Sequence, residues 1–286
     1  MIYVGTSGYS YPDWIGPFYP AGLKSGAFLD HYARHFPAVE VDYTYYRMPS
    51  AATLAGMDRR TPPGFRFAAK ATSLLTHERE ATPADFAAYC AGVAPLVAAG
   101  KLGAVLAQFP FSFANSEAHR TYLHHLRQGL GDLPVVVEFR HVSWIIEPVF
   151  ALLRELGLGF CCVDQPRFAK FVPPVARATS EVGYLRFHGR NSEKWWQHAE
   201  AWERYNYLYD AAELGEWVEK VRALAAETRE TLVFFNNHYQ AQAAQNALQF
   251  TEMLEAAGLE VAHTETPPPP GAADCARAGP PLNRGG

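Results

Sequence analysis

The chain has 286 residues, 49% of them hydrophobic and 19% charged, which supplies a sizeable core and fits one large domain or two small ones. Lys and Arg number 25 against 29 Asp and Glu, a net charge of −4 that speaks against nucleic-acid binding driven by overall charge, though not against a local basic cleft. No apolar run reaches the ~18 residues of a membrane span, and Met1–Ser7 lacks the basic-then-apolar order of a secretory signal.

The four cysteines, Cys90, Cys161, Cys162 and Cys275, form no C-x-x-C pair. Cytoplasmic localisation, reduced buried thiols and no structural zinc are the expectation.

In chain order, eight short segments read as strands: 3–7, 38–42, 66–70, 104–108, 135–139, 160–164, 184–188 and 232–236. Most are continuous apolar or β-branched runs, the pattern of strands covered on both faces. Between them lie helical patterns at 25–36, 50–60, 83–99, 116–130, 147–156, 211–227 and 241–257. Ser25 reads as an N-cap of the first, and Thr82 followed by Pro83 as the start of the third. Gly157 and Gly258 stand where left-handed C-caps belong. No helix is evident between the sixth and seventh strands. Eight strands alternating with helices predict a single α/β domain, a (β/α)₈ TIM barrel over residues 1–265; an open doubly wound sheet is the alternative. From Thr266, four consecutive prolines and a Gly/Ala/Pro-rich stretch predict a disordered tail over 266–286.

A barrel of this kind carries its site at the C-terminal strand ends. There the sequence places Thr6 and Ser7; Glu40 and Asp42, then Tyr45; Lys70, then His77; Gln108; Glu138 and Arg140; Asp164; Arg186, His188 and Arg190; and Asn236, Asn237 and His238. Charges inside strands are costly unless paired or used. Glu40 and Asp42, two residues apart, share a face, as do Glu138 with Arg140 and Arg186 with His188. A purely structural ion-pair network is the competing account of these charges. The small-residue turn Gly5–Gly8 offers backbone N–H groups to an anion. Tyrosines and tryptophans crowd the loops after the first, second and seventh strands, either as a stacking surface or as a self-packed rim.

These residues fall into motifs that resemble the DUF72 (YecE-like) family of uncharacterised TIM-barrel proteins. The motifs are Gly5-Thr6-Ser7-Gly8-Tyr9-Ser10-Tyr11-Pro12-Asp13-Trp14, Val39-Glu40-Val41-Asp42, Phe65–Lys70, Gln108-Phe109-Pro110, Glu138-Phe139-Arg140-His141-Val142-Ser143-Trp144, Asp164-Gln165-Pro166, Tyr184–Arg190 and Phe235-Asn236-Asn237. The resemblance runs from about Tyr3 to Ala257 and implies a TIM barrel. It implies no particular reaction. After the second strand the family's usual Asn-Thr-Phe-Tyr is replaced by Asp42-Tyr43-Thr44-Tyr45-Tyr46.

Three functions compete. The first is an enzyme that clamps a small phosphate- or carboxylate-bearing ligand. Lys70, Glu138, Asp164 and His188 would be catalytic. Thr6, Ser7, Glu40, Tyr45, His77, Gln108, Arg140, Arg186, Arg190, Asn236 and Asn237 would bind ligand. The second is a metal-dependent phosphoesterase or isomerase, disfavoured by the nearby Lys and Arg and by the lack of a dense ligand motif. The third is a non-catalytic nucleic-acid-binding module. No sequence motif indicates a cofactor, no residue is assigned to a metal, and no membrane partner is expected.

Overall fold

A computed structural model describes residues 1–264, so Cys275 and the expected tail at 266–286 lie outside the described residues. The apolar segments form eight parallel strands: β1 (Ile2–Ser7), β2 (Ala38–Val41), β3 (Arg66–Lys70), β4 (Leu102–Gln108), β5 (Val135–Glu138), β6 (Gly159–Asp164), β7 (Val182–Phe187) and β8 (Glu230–Phe235). They pair in sequence order and close, β8 on β1, into a barrel. Closure leaves no sheet edge exposed. No expected strand end is displaced by more than two residues.

The helices are α1 (Phe28–Tyr32), α2 (Tyr43–Tyr46), α3 (Ala51–Arg59), α4 (Pro83–Ala98), α5 (Glu117–Leu130), α6 (Glu147–Glu155), α7 (Ala211–Glu227) and α8 (Gln242–Ala256). The start of α4 is as expected: the Thr82 side chain accepts from the Asp85 N–H, and the Asp85 carboxylate accepts from the Thr82 N–H at 2.8 Å. Gly157 and Gly258 are left-handed, at φ 61° and 75°. The helix expected over 25–36 is shorter. A 3₁₀ turn over Ser25–Ala27 precedes α1, whose N-cap is Ala27, Ser25 makes no side-chain cap, and α1 closes at Tyr32 with Ala33 as its C-cap. The single turn α2 has no counterpart among the expected helices.

Between β6 and β7 no helix forms. Gln165 to Glu181 instead crosses as irregular chain, braced within itself where Gln165 Nε2 donates to Val172 O at 3.1 Å and tied to its surroundings where Thr179 Oγ1 donates to Leu158 O at 2.7 Å.

The first turn is built by close approach. A Cβ on Gly5 would stand 2.1 Å from the Ala38 carbonyl oxygen. Tyr32 from α1 fills the same junction, accepting from the Thr6 N–H at 2.8 Å and donating to Ala38 O at 2.9 Å. The Gly8 N–H donates to Glu40 O at 2.8 Å. Two N–H groups of the expected anion-binding turn are therefore already committed, one to the β1–β2 junction and one to α1.

Candidate functional site

The strand ends assemble a charged floor across the barrel. Arg186 from β7 donates to Glu40 from β2 through Nε at 2.9 Å and Nη2 at 2.6 Å, and to Glu138 from β5 through Nη1 at 2.8 Å. Tyr184 donates to Glu40 at 2.7 Å. Glu138 also receives Arg140 at 2.8 Å and lies 3.1 Å from His188 Nε2. Burial opposes ionisation of Glu138, but Arg140, Arg186 and His188 outweigh it and hold the carboxyl well below the usual range. Burial opposes the charge on Arg186 too, and Glu40 and Glu138 more than restore it. His188 is pushed down to about 3, by burial first and then by Arg140, so its ring is neutral at pH 7. Its other nitrogen lies 3.1 Å from Asn236 Nδ2.

Above this floor a cavity of about 430 Å³ opens, with Glu40, Asp42, Lys70, Gln108, Arg140, Arg186 and Asn236 in its polar lining. Tyr9, Tyr11, Tyr43, Tyr46, Tyr205 and His238 form most of its aromatic wall. Lys70, with 14% of its side chain exposed, lies 4.0 Å from Asp42 Oδ1 and 4.9 Å from the centre of the Tyr45 ring. No carboxylate among the described residues comes closer to it. Around His77, burial and then the charges of Lys70, Arg79 and Arg140 all disfavour protonation, so this side of the mouth is electropositive.

Beside Lys70, at the end of the adjacent strand β2, stands an acid. Asp42 is 28% exposed and lies beside the buried Glu40 carboxylate. Partial withdrawal from water, then the Glu40 charge, raise its carboxyl to about 6 against the pull of Lys70.

Of the residues singled out in the sequence, Glu40, Lys70, Gln108, Arg140, Arg186 and Asn236 line this cavity. Ser7 (3.4 Å from Arg186), Glu138 and His188 lie in the sealed layer beneath it. Tyr45 and His77 pack edge to face, 5.0 Å apart, beside Lys70. Four others stand elsewhere. Asp164, expected to be catalytic, accepts from Trp217 at 2.7 Å, Tyr209 at 2.8 Å and Arg190 at 2.7 Å, on the helix side of β6. Arg190 is held there by Glu216 as well. Thr6 bonds Tyr32 and Gly8, and Asn237 bonds Tyr207 and Asn246 behind β8. These contacts tie loops and helices to the barrel, with Asn237 Oδ1 buried without a partner.

The two arginines of the expected clamp are engaged by the protein's own groups. Arg140 and Arg186 spend their guanidinium groups on Glu138, Glu40 and Gln165, which leaves Lys70 as the cation of the lining held least tightly, with Asp42 at 4.0 Å its nearest carboxylate. The cavity also contains residues outside the expected set, chiefly Asp42, Tyr11 and His238. The shared face of Glu40 and Asp42 was the signal for Asp42; His238 stood in the strand-end series after β8 and Tyr11 in the aromatic loop after β1, neither with a role assigned. Much of the aromatic rim is self-packed. Tyr11 stacks on His238 at 4.6 Å and Trp202 on Tyr239 at 4.4 Å, while Tyr46 and Trp196 remain exposed.

Comparison with known proteins gives a consistent picture. The family model described as protein of unknown function DUF72 matches residues 3–272. UPF0759 protein YunF of Bacillus subtilis (strain 168) is 33% identical over 271 residues, covering 89% of this chain and 95% of that protein. UPF0759 protein YecE of Escherichia coli (strain K12) is 29% identical over 143 residues, 49% of each chain. Among solved structures, the DUF72 family protein TM1631 from Thermotoga maritima MSB8 superposes with a TM-score of 0.82 at 42% identity, over 89% of this chain and 99% of that one. The DUF72 family protein EF0366 from Enterococcus faecalis V583 gives 0.79 at 29% identity, over 89% and 96%.

Proposed function

The chain belongs to the DUF72 family of proteins of unknown function, and from the mouth of its barrel we propose an acid–base site for a small phosphate- or carboxylate-bearing ligand. Lys70 anchors the anionic group and Asp42 moves a proton. The observation that carries this reading is the pair itself. A lysine that makes no hydrogen bond to any described residue stands 4.0 Å from its one carboxylate neighbour among them, Asp42, whose affinity for protons is raised into the physiological range. An enclosed ammonium without a tight partner favours an anion, and a carboxyl near neutrality can both take and give a proton. Glu40 favours the proton on Asp42, while Arg186 and Tyr184 hold Glu40 in place and Glu138, with His188 beside it, holds Arg186.

The same floor weakens the metal-dependent reading. Its two buried carboxylates are already neutralised by arginine, and among the described residues no group of three or more His, Cys, Asp or Glu is placed to hold a metal ion. The aromatic wall suits the ligand's carbon skeleton, which makes a ligand larger than the bare anion the better fit.

The test is calorimetric titration with a panel of small phosphates and carboxylates against wild type, Lys70→Ala and Asp42→Asn. Saturable binding by wild type that Lys70→Ala loses is the expected result; Asp42→Asn should bind but turn over no substrate. Undiminished binding by Lys70→Ala would overturn the anchor. Binding of a single-stranded oligonucleotide that weakens steeply with salt would favour the non-catalytic alternative instead.

A further inference from the structure

The loop after β8 is held in an unfavourable conformation by contacts that converge on one side chain. Gln240 (φ 46°, ψ 40°) and Ala241 (φ 62°, ψ 17°) are consecutive non-glycine residues in the left-handed region, a conformation that persists only where its surroundings impose it. Here the loop after β1 imposes it. The Gln240 N–H donates to Asp13 Oδ2 at 2.7 Å, and Trp14 Nε1 donates to His238 O at 2.7 Å. The Tyr11 ring lies parallel to the His238 imidazole, 4.6 Å away and 1° from coplanar orientation. Main chain and ring of His238 are thus fixed independently.

The ring they fix belongs to the cavity wall, and neither of its nitrogens hydrogen-bonds to any described residue. Burial lowers its proton affinity and Asp13 offsets this only in part, so the imidazole is neutral at physiological pH. It keeps one donor and one acceptor unspent, in a wall otherwise made of tyrosine rings.

Resting on the acid–base reading above, we propose that His238 is a second ligand-contacting residue of this cavity, hydrogen-bonding a hydroxyl or carbonyl oxygen carried by the anion that Lys70 holds. The ligand class is then a small hydroxylated or carbonyl-bearing phosphate or carboxylate. The anion meets the cationic side of the mouth, and an uncharged oxygen meets the imidazole.

Two probes separate this inference from the reading beneath it: inorganic phosphate, which has only the anion, and sn-glycerol 3-phosphate, which adds hydroxyls. Both are titrated into wild type, Lys70→Ala, His238→Phe and His238→Gln. The phenylalanine keeps a ring against Tyr11, and circular dichroism confirms that each variant is folded. Lys70→Ala should lose both probes. His238→Phe should leave phosphate affinity unchanged and weaken glycerol 3-phosphate by about three- to tenfold, the size of one hydrogen bond. The ring signal of His238 in ¹⁵N-histidine spectra, identified by its loss in the variants, should move with glycerol 3-phosphate. The inference is overturned if both probes bind through Lys70 while neither the variants nor the ring signal respond to the hydroxyls. If wild type binds neither probe, the anion reading falls, and this inference with it.

Discussion

Arg186 grips Glu40 by two nearly parallel hydrogen bonds, Nε to Oε2 at 2.9 Å and Nη2 to Oε1 at 2.6 Å, in a layer closed to solvent. The planar fork of the guanidinium suits this geometry, and its remaining nitrogen reaches Glu138 at 2.8 Å. Replacing Arg186 with Met leaves buried Glu40 with no cation, only the Tyr184 hydroxyl, and leaves Glu138 with Arg140 alone. The expected cost is about 3–5 kcal/mol of folding stability, because breaking a buried pair leaves an uncompensated charge. Arg186→Lys should recover only part of it, since an ammonium cannot span both carboxylates bidentately. Urea denaturation measures both variants; an Arg186→Met protein as stable as wild type would mean that the carboxylates are not ionised.

Two groups at the mouth and its floor oppose one another in their response to pH. His188 accepts a proton near pH 6.5 when unfolded but near 3 when folded. Between those values the unfolded chain binds more protons, so this residue makes stability fall as pH falls. Asp42 has the reverse sign. Its folded carboxyl takes a proton near 6 and its unfolded one near 3.9, so its contribution is fully present below about pH 4 and is lost as pH rises through 6. Asp42→Asn removes only the second effect. That variant should be more stable than wild type at pH 7.5 by about 1–2 kcal/mol, reduced from the full shift because the carboxyl is partly solvated. It should also lose stability more steeply between pH 6 and 4. Denaturation midpoints at pH 4.5, 6 and 7.5 check this, and a profile parallel to wild type would contradict the raised carboxyl.

Gln240 is exposed and left-handed, with only its N–H engaged, by Asp13. Gln240→Gly should therefore stabilise the protein by about 0.5–1 kcal/mol, the relief of left-handed strain less the added entropy of an unfolded glycine. Gln240→Val should destabilise it, because a β-branched side chain tolerates this region least. Thermal unfolding of the two variants reads the difference directly. Equal midpoints would show that the loop is not strained.

How much of this was legible in the sequence depended on what periodicity encodes. The strands were, because runs such as Val135-Val136-Val137 are apolar on both faces. The same property hid which way their last residues point: β6 reads Gly-Phe-Cys-Cys-Val-Asp, buried throughout, and nothing in it marks Asp164 as facing Trp217 rather than the cavity. Pairings between distant strands, such as Arg186 with Glu40, are set by barrel closure, which no local pattern records. Tyr11, Tyr205 and His238 come from loops, where spacing carries no direction. Asp42 was visible beside Glu40, and only three dimensions bring Lys70 to it.

The passage from Gln165 to Glu181 has a consequence for how the molecule could be divided. Having no helix of its own, it gets its order from others: Lys170 O accepts from the Val142 N–H at 2.8 Å, and Phe171 bridges to His141. Arg167, Ala169 and Lys170 along it are exposed. The pieces on either side meet instead along two full ladders, β6 on β7 and β8 on β1. Covalent continuity matters least there. A barrel in two fragments, six strands and two, retains every strand pairing of the intact ring, so this crossing is a natural seam where the chain can be opened while the floor of Arg186, Glu40 and Glu138 reassembles from both halves.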